Sequence, residues 1–166
     1  MEDHPKPRPL IRPFRAADLD RIMEIERATF SRDAYTRRMF MDLHRDCGDL
    51  FFVAQRGRRI AGYIVMCTNS NKAELVSIAV DPKLRKLGIG TALMRRVLAE
   101  LGHRKICRIE LMVRVTNQEA VRFYGGFHFR LIRRVRHYYE DSADAYRMRR
   151  IIRPTGQTRR GTRQAG

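Results

Sequence analysis

The 166-residue sequence has no tryptophan, only three cysteines, and no long apolar run. The longest such run, over 61–67, is far short of the roughly 20 residues that a bilayer span needs. The opening Met1-Glu2-Asp3-His4-Pro5 lacks the apolar stretch of a secretory leader. A cytoplasmic protein with no membrane association is therefore expected. Cys47, Cys67 and Cys107 are odd in number and widely spaced, with no CxxC and no zinc pattern, so no metal is expected. Cys67 and Cys107 fall in apolar strand patterns and are expected to be buried, inert thiols. Lysine is scarce as well: 30 of the 35 basic residues are arginine, and with 18 acidic residues the formal net charge is +17. That field attracts anions such as phosphates, acidic peptides or RNA. The basic residues are spread along the whole chain without an RNA-binding signature, so composition alone selects no partner.

What is present suits one α/β domain with a single core. Residues 1–8, with two prolines, read as a loose arm, and 153–166, rich in Arg, Thr, Gly and Gln, as a disordered basic tail. Between them, 9–152 form the folded unit. The patterning predicts a strand over 10–15, helices over 18–28 and 35–46, and a three-strand meander over 50–55, 60–68 and 73–80. A loop at 81–87 then opens a helix over 88–101. A strand over 106–115, a helix over 117–125, and strands over 129–139 and 143–152 complete the chain. This order gives a mixed sheet with helices packed on it.

The segment Val76 to Thr91 carries the clearest chemistry. An apolar strand runs into Asp81-Pro82-Lys83-Leu84-Arg85-Lys86-Leu87, and Gly88-Ile89-Gly90-Thr91 begins a helix. The first-turn amides of a helix have no internal partner, and the helix dipole makes that end positive. Such an end is a natural phosphate site, and Arg85 and Lys86 add charge. The segment lacks the Lys-Ser/Thr of a P-loop and the third glycine of a dinucleotide fingerprint.

Arg85-x-x-Gly88-x-Gly90 following Ile78-Ala79-Val80-Asp81-Pro82 resembles the acetyl-CoA motif of the GNAT superfamily. Arg114-Val115-Thr116-Asn117-Gln118-Glu119-Ala120 with Tyr124 is similar to that family's V-R-x-x-N-x-x-A…Y stretch. Tyr138-Tyr139-Glu140-Asp141-Ser142-Ala143-Asp144-Ala145 resembles the Y-Y-x-D-G-x-D-A end of its RimI/Ard1-like N-terminal protein acetyltransferases. Ile25-Glu26-Arg27-Ala28-Thr29-Phe30 resembles the end of their first helix. The resemblance, over about 9–152, implies an α/β (α+β) GNAT fold, a central mixed, mostly antiparallel sheet flanked by helices. It implies acetyl-CoA as co-substrate, transfer in a ternary complex, and a peptide N-terminus, such as that of a ribosomal protein, as acceptor. It places the cofactor on Ile78, Ala79, Val80, Arg85, Lys86, Leu87, Gly88, Ile89, Gly90, Thr91, Asn117 and Tyr124. It places the acceptor against Phe30, Tyr35, Tyr138 and Tyr139.

Transfer of an acetyl group from a thioester to an amine needs a deprotonated amine, a stabilised oxyanion and a protonated leaving thiolate. The resemblance gives the last task to Tyr124 as general acid and the oxyanion to a backbone N–H near Val80. Asn117 also suits a helix N-cap. The base stays open, because Met112 stands where relatives often carry Glu. Glu110 points to the same face two residues earlier, Glu74 lies on the strand leading to the loop, and Glu26 ends the first helix. An α-amine, with pKa near 7.7–8.0 against about 10.4 for lysine, is the easier acceptor. Further departures are His128 in place of a usual Gly, Ser31 and Ala34 in place of prolines, and Tyr35 in place of Trp. Two other readings stay open: a lysine or small-amine acetyltransferase, and a basic RNA- or ribosome-binding protein on the same scaffold.

Overall fold

The computed structural model describes residues 8–152. The arm expected over 1–8 lies, apart from residue 8, outside the described residues, as does the tail expected over 153–166. Eleven regular elements follow one another: β1 (Leu10–Pro13), α1 (Leu19–Phe30), α2 (Arg37–Cys47), β2 (Phe51–Arg56), β3 (Arg59–Asn69), β4 (Lys72–Val80), α3 (Ile89–Gly102), β5 (Arg108–Arg114), α4 (Gln118–Gly126), β6 (Arg130–Val135) and β7 (Ala145–Ile151). The strands form one sheet in the order β1-β2-β3-β4-β5-β7-β6. Every neighbouring pair is antiparallel except β4–β5. The expected mixed sheet and element order are therefore observed. No helix among the described residues is long and apolar enough to cross a membrane.

Two apolar layers sandwich the sheet. On one face Leu93, Met94, Val97 and Leu101 of α3 meet Phe52, Ile64, Met66 and Leu75, and the same cluster runs on to Ile109, Leu111, Val113 and Met148. On the other, Ile22 and Ile25 of α1 and Phe40 of α2 pack on Phe51, Val53, Tyr63 and Val65. Burying each large side chain contributes roughly 1.5–3 kcal/mol. Thr36 caps α2 by accepting from the Met39 amide at 3.2 Å, which starts that helix at Arg37 rather than at the expected residue 35.

The feature that makes a site is a parting of β4 and β5. They pair only over Lys72–Glu74 against Arg108–Glu110. Beyond Glu74, β4 stays on β3 while β5 follows β7. A bulge helps the parting: Val65 pairs with Ser77 and Met66 with Leu75, so Val76 is an extra residue in β4. A bulge of this kind bends its strand and re-aims the side chains beyond it. Ala73 and Leu75 face α3, and after the bulge Ile78 and Val80 face that side too, while Ala79 faces the α1–α2 layer.

Several expectations are corrected. The strand expected over 129–139 ends at Val135, because the chain turns at His137 (φ 51°), whose amide donates to Asp144 at 3.0 Å. The amides of Tyr138 and Tyr139 both donate to the Ala143 carbonyl, so the tyrosine pair sits in a closed loop instead of a strand. The cysteine expectation also fails. Cys67 is joined to Cys47 in a disulfide, its Cα 5.1 Å from that of Cys47, since the end of α2 lies against β3. Cys107 is exposed, in the connection just before β5. His128 takes a left-handed conformation (φ 65°) in the turn out of α4, the role the usual glycine fills there without steric cost.

Candidate active site

The gap between the parted strands is a cavity of about 760 Å³ that runs from the β4–α3 loop to the α1–α2 and β6–β7 connections. At one end Asp81 pins the loop. Its backbone amide donates to Ala61, its carboxylate accepts from the Lys83 amide at 2.9 Å, and Arg21 pairs with it. Lys86 and Gly88 are both left-handed (φ 61° and 76°), which reverses the chain into α3. The first bond of that helix is from the Ala92 amide to the Gly88 carbonyl at 3.0 Å. The amides of Ile89, Gly90 and Thr91 thus have no helical partner and line the cavity. Arg85 and Lys86 stand beside them, joined across the gap by Arg122 of α4, which the sequence reading missed. Leu87 is the one expected loop residue that does not line the cavity; it is exposed to solvent.

Along the wall, Ile78, Ala79 and Val80 offer a strand edge that no other strand pairs beyond Glu74. Facing it, Tyr124 of α4 lies edge-on to Phe123 and Phe129, with ring centroids 5.5 and 5.9 Å away. Its hydroxyl makes no hydrogen bond among the described residues, and burial pushes its pKa well above the usual phenol value. Asn117 lines the cavity and also caps α4, accepting from the Ala120 amide at 3.1 Å.

The other end is aromatic and acidic. Phe30, Tyr35, Tyr138, Tyr139 and Glu74 line it. Glu26 is 1% exposed and accepts from the Tyr35 amide at 2.8 Å and from the Tyr63 hydroxyl, which also sits 3.0 Å from Ser77 Oγ. Burial raises the Glu26 pKa, opposed by these donors. With both carboxylate oxygens engaged, Glu26 holds Tyr35 and Tyr63 in place. Glu74 is exposed, and its carboxylate makes no hydrogen bond or ion pair with another described residue. Glu110 does not join the site. Arg149 binds its carboxylate at 2.6 and 2.8 Å and Arg108 lies 3.4 Å away. Partial burial favours its neutral form, but the hydrogen bond from Arg149 and the nearby guanidiniums hold its pKa below the usual carboxylate value. Met112 lines the cavity, where it supplies no proton acceptor.

A model of the acetyltransferase (GNAT) family matches residues 19–129. The chain belongs to the GNAT family. Over 80% of this chain and 86% of its relative, it is 31% identical to an N-alpha-acetyltransferase of Sulfolobus acidocaldarius. The crystal structure of Ard1 from Thermoplasma volcanium superposes with a TM-score of 0.83 at 33% identity, covering 88% of this chain and 99% of that one. Naa20 of Chaetomium thermophilum, solved with a bisubstrate analogue, gives 0.79 at 26% identity and 86% coverage of both chains.

This GNAT chain also has a clamp that sequence reading missed. Arg114 Nε donates to Asp33 in the α1–α2 connection at 2.7 Å, and its two terminal nitrogens reach Asp141 in the β6–β7 loop at 3.0 and 3.2 Å. The guanidinium lies 4.2 Å from the centre of the Tyr139 ring. One side chain thus ties both connections that frame the aromatic end, and stacks under one of its tyrosines. The only sequence signal was an arginine in the motif and an acidic residue in each loop.

Proposed function

We propose that this GNAT chain transfers the acetyl group of acetyl-CoA to the α-amine of a protein N-terminus, directly and within a ternary complex. The observation that carries this reading is the single cavity with an anion-binding loop at one end and an aromatic, carboxylate-bearing mouth at the other, Tyr124 standing between them. The names of the relatives support it: one is an N-alpha-acetyltransferase, and another was solved with a bisubstrate analogue.

Each role follows from chemistry already described. The free amides at Ile89, Gly90 and Thr91, with Arg85, Lys86 and Arg122, suit the pyrophosphate of the co-substrate. The unpaired edge at Ile78–Val80 suits its amide-bearing arm, as an added strand would pair. Acetyl-CoA supplies a thioester carbonyl carbon for attack by the amine nitrogen. As the C–S bond breaks, Tyr124 passes its hydroxyl proton to the sulfur, and an N–H near Val80 faces the developing oxyanion. Glu74 is the carboxylate free to take the amine proton, directly or through water. Phe30, Tyr35, Tyr138 and Tyr139 hold the first acceptor residues. The unit responsible is 9–152, working in the cytoplasm on protein N-termini, those of ribosomal proteins among them.

Purified protein with acetyl-CoA and peptides beginning Ala, Ser, Thr or Met tests this reading. Thiol release and a one-acetyl mass gain are expected with free N-termini and not with the same peptides blocked at the N-terminus and carrying an internal lysine. Acetylation of the blocked peptides alone would make the protein a lysine enzyme instead.

A further inference from the structure

Beyond the parting of β4 and β5, half of one sheet face carries no helix among the described residues. α1 packs on β3 and β4, and α2 on β3. Over β5, β7 and β6 the same face carries charged side chains. Ile109, Leu111 and Val113 turn toward α3, so Arg108, Glu110, Met112 and Arg114 turn the other way. The strand register extends that face across the sheet in two rows. One runs Glu74, Glu110, Arg149, Arg130. The next runs Met112, Arg147, Arg133. Both rows begin at a residue that lines the cavity, Glu74 or Met112, and both end on arginines of the edge strand β6.

Arg130 and Arg133 are exposed and Arg147 is partly exposed. None of their three side chains makes a hydrogen bond or ion pair with another described residue, and Glu110, the one carboxylate in the β5–β7–β6 rows, is already taken by Arg149 and Arg108. Arginines directly opposite one another, as Arg130 is to Arg149 and Arg133 to Arg147, repel and lower sheet stability. An anion laid along the rows would relieve that repulsion.

We infer that this face receives the acceptor chain downstream of its reactive N-terminus, and that the preferred acceptors are proteins whose N-terminal segments are acidic at about positions four to seven. This rests on the α-amine reading above. From β5 to β6 is about 10 Å at the usual strand spacing, or about three residues of extended chain. A chain with its first residues in the mouth reaches Arg147, Arg133 and Arg130 within that span. Location at the acceptor mouth favours a peptide over RNA as the occupant.

The test compares peptides with identical first three residues and either four glutamates, four glutamines or four lysines at positions four to seven. The expected preference in kcat/KM for glutamate over glutamine is about tenfold, the scale of several exposed charge pairs acting together. It should appear mainly in KM and shrink toward one at high salt, where the Debye length contracts. The triple variant Arg130→Glu, Arg133→Glu, Arg147→Glu should reverse the order and prefer the lysine peptide, a gain that misfolding cannot produce. Equal rates for all three peptides with the unaltered protein would overturn the inference while leaving α-amine acetylation standing. No acetylation of any of them would sink the α-amine reading and the inference with it. If an RNA oligonucleotide bound the face, lost affinity in the triple variant, and the peptides showed no charge preference, the face would serve nucleic acid and the inference would be wrong.

Discussion

Tyr124 satisfies two requirements at once. It is a phenol whose pKa partial burial raises further, so it is neutral, and its hydroxyl has no hydrogen-bond partner among the described residues that would hold its proton elsewhere. Tyr124→Phe is expected to lower kcat by about 10²–10⁴-fold, the range of a general acid, with both KM values changed little; steady-state kinetics checks it. Because burial raises the pKa of this group, it stays protonated as pH rises through neutrality. The wild-type kcat/KM should therefore climb through the acceptor amine's pKa of about 8, without a falling limb from Tyr124 in the same range. The carboxylates separate as clearly. Glu74→Gln should reduce kcat by roughly 10- to 100-fold. Glu110→Gln should leave kcat within about twofold and lower thermal stability, since it leaves Arg149 without its ionic partner. Equal kinetic losses in the two variants would contradict the assignment. The sequence offered Glu26, Glu74 and Glu110 side by side, because the bonds that distinguish them, Tyr63 to Glu26 and Arg149 to Glu110, join residues 37 and 39 positions apart.

Among the elements, the connections matter more than the strands. Arg114 couples the α1–α2 connection to the β6–β7 loop through Asp33 and Asp141. Arg114→Ala should loosen both walls of the mouth and raise KM for the peptide about tenfold, the scale of losing charge-assisted bonds, while KM for acetyl-CoA changes less than twofold. A loss confined to acetyl-CoA would show that the clamp serves the other end of the cavity. The Cys47–Cys67 bond ties the end of α2 to β3 across 20 residues of chain. Closing a loop of that length restricts the unfolded chain by about 3 kcal/mol. Cys47→Ser, or reduction, should lower the unfolding free energy by about that amount in denaturant titrations. The helices and most strands were legible from apolar spacing. The tyrosine pair was misplaced in a strand because its neighbours keep strand-like composition, whereas the turn is set by Asp144 and Ala143, residues further on. The disulfide was illegible because nothing in the spacing of Cys47 and Cys67 indicates that α2 ends against β3.

At the scale of the whole molecule, the sheet order and the parting of β4 from β5 make the site. The order of elements along the chain was legible (a meander, a loop that opens a helix, then two further pairs of elements), but the insertion of β7 between β5 and β6 was not. The parting was not, since it depends on an extra residue at Val76 and on β5 choosing β7 as its long partner. The motif around Arg85-x-x-Gly88-x-Gly90 nonetheless marked the cofactor end, because that end is built from consecutive residues. The acceptor end is assembled from α1, β4 and the β6–β7 loop, so its aromatic residues and carboxylates could be named but not their arrangement. The net charge of +17 belongs to this scale too. It repels small polyamines and favours anionic partners. The most direct measurement of the central claim uses one peptide carrying both a free N-terminus and an internal lysine. After incubation with acetyl-CoA, fragmentation mass spectrometry locates the acetyl group. A mark on the α-amine alone, lost in Tyr124→Phe, is expected; a mark on the lysine, or one unaffected by Tyr124→Phe, would contradict α-amine transfer through Tyr124.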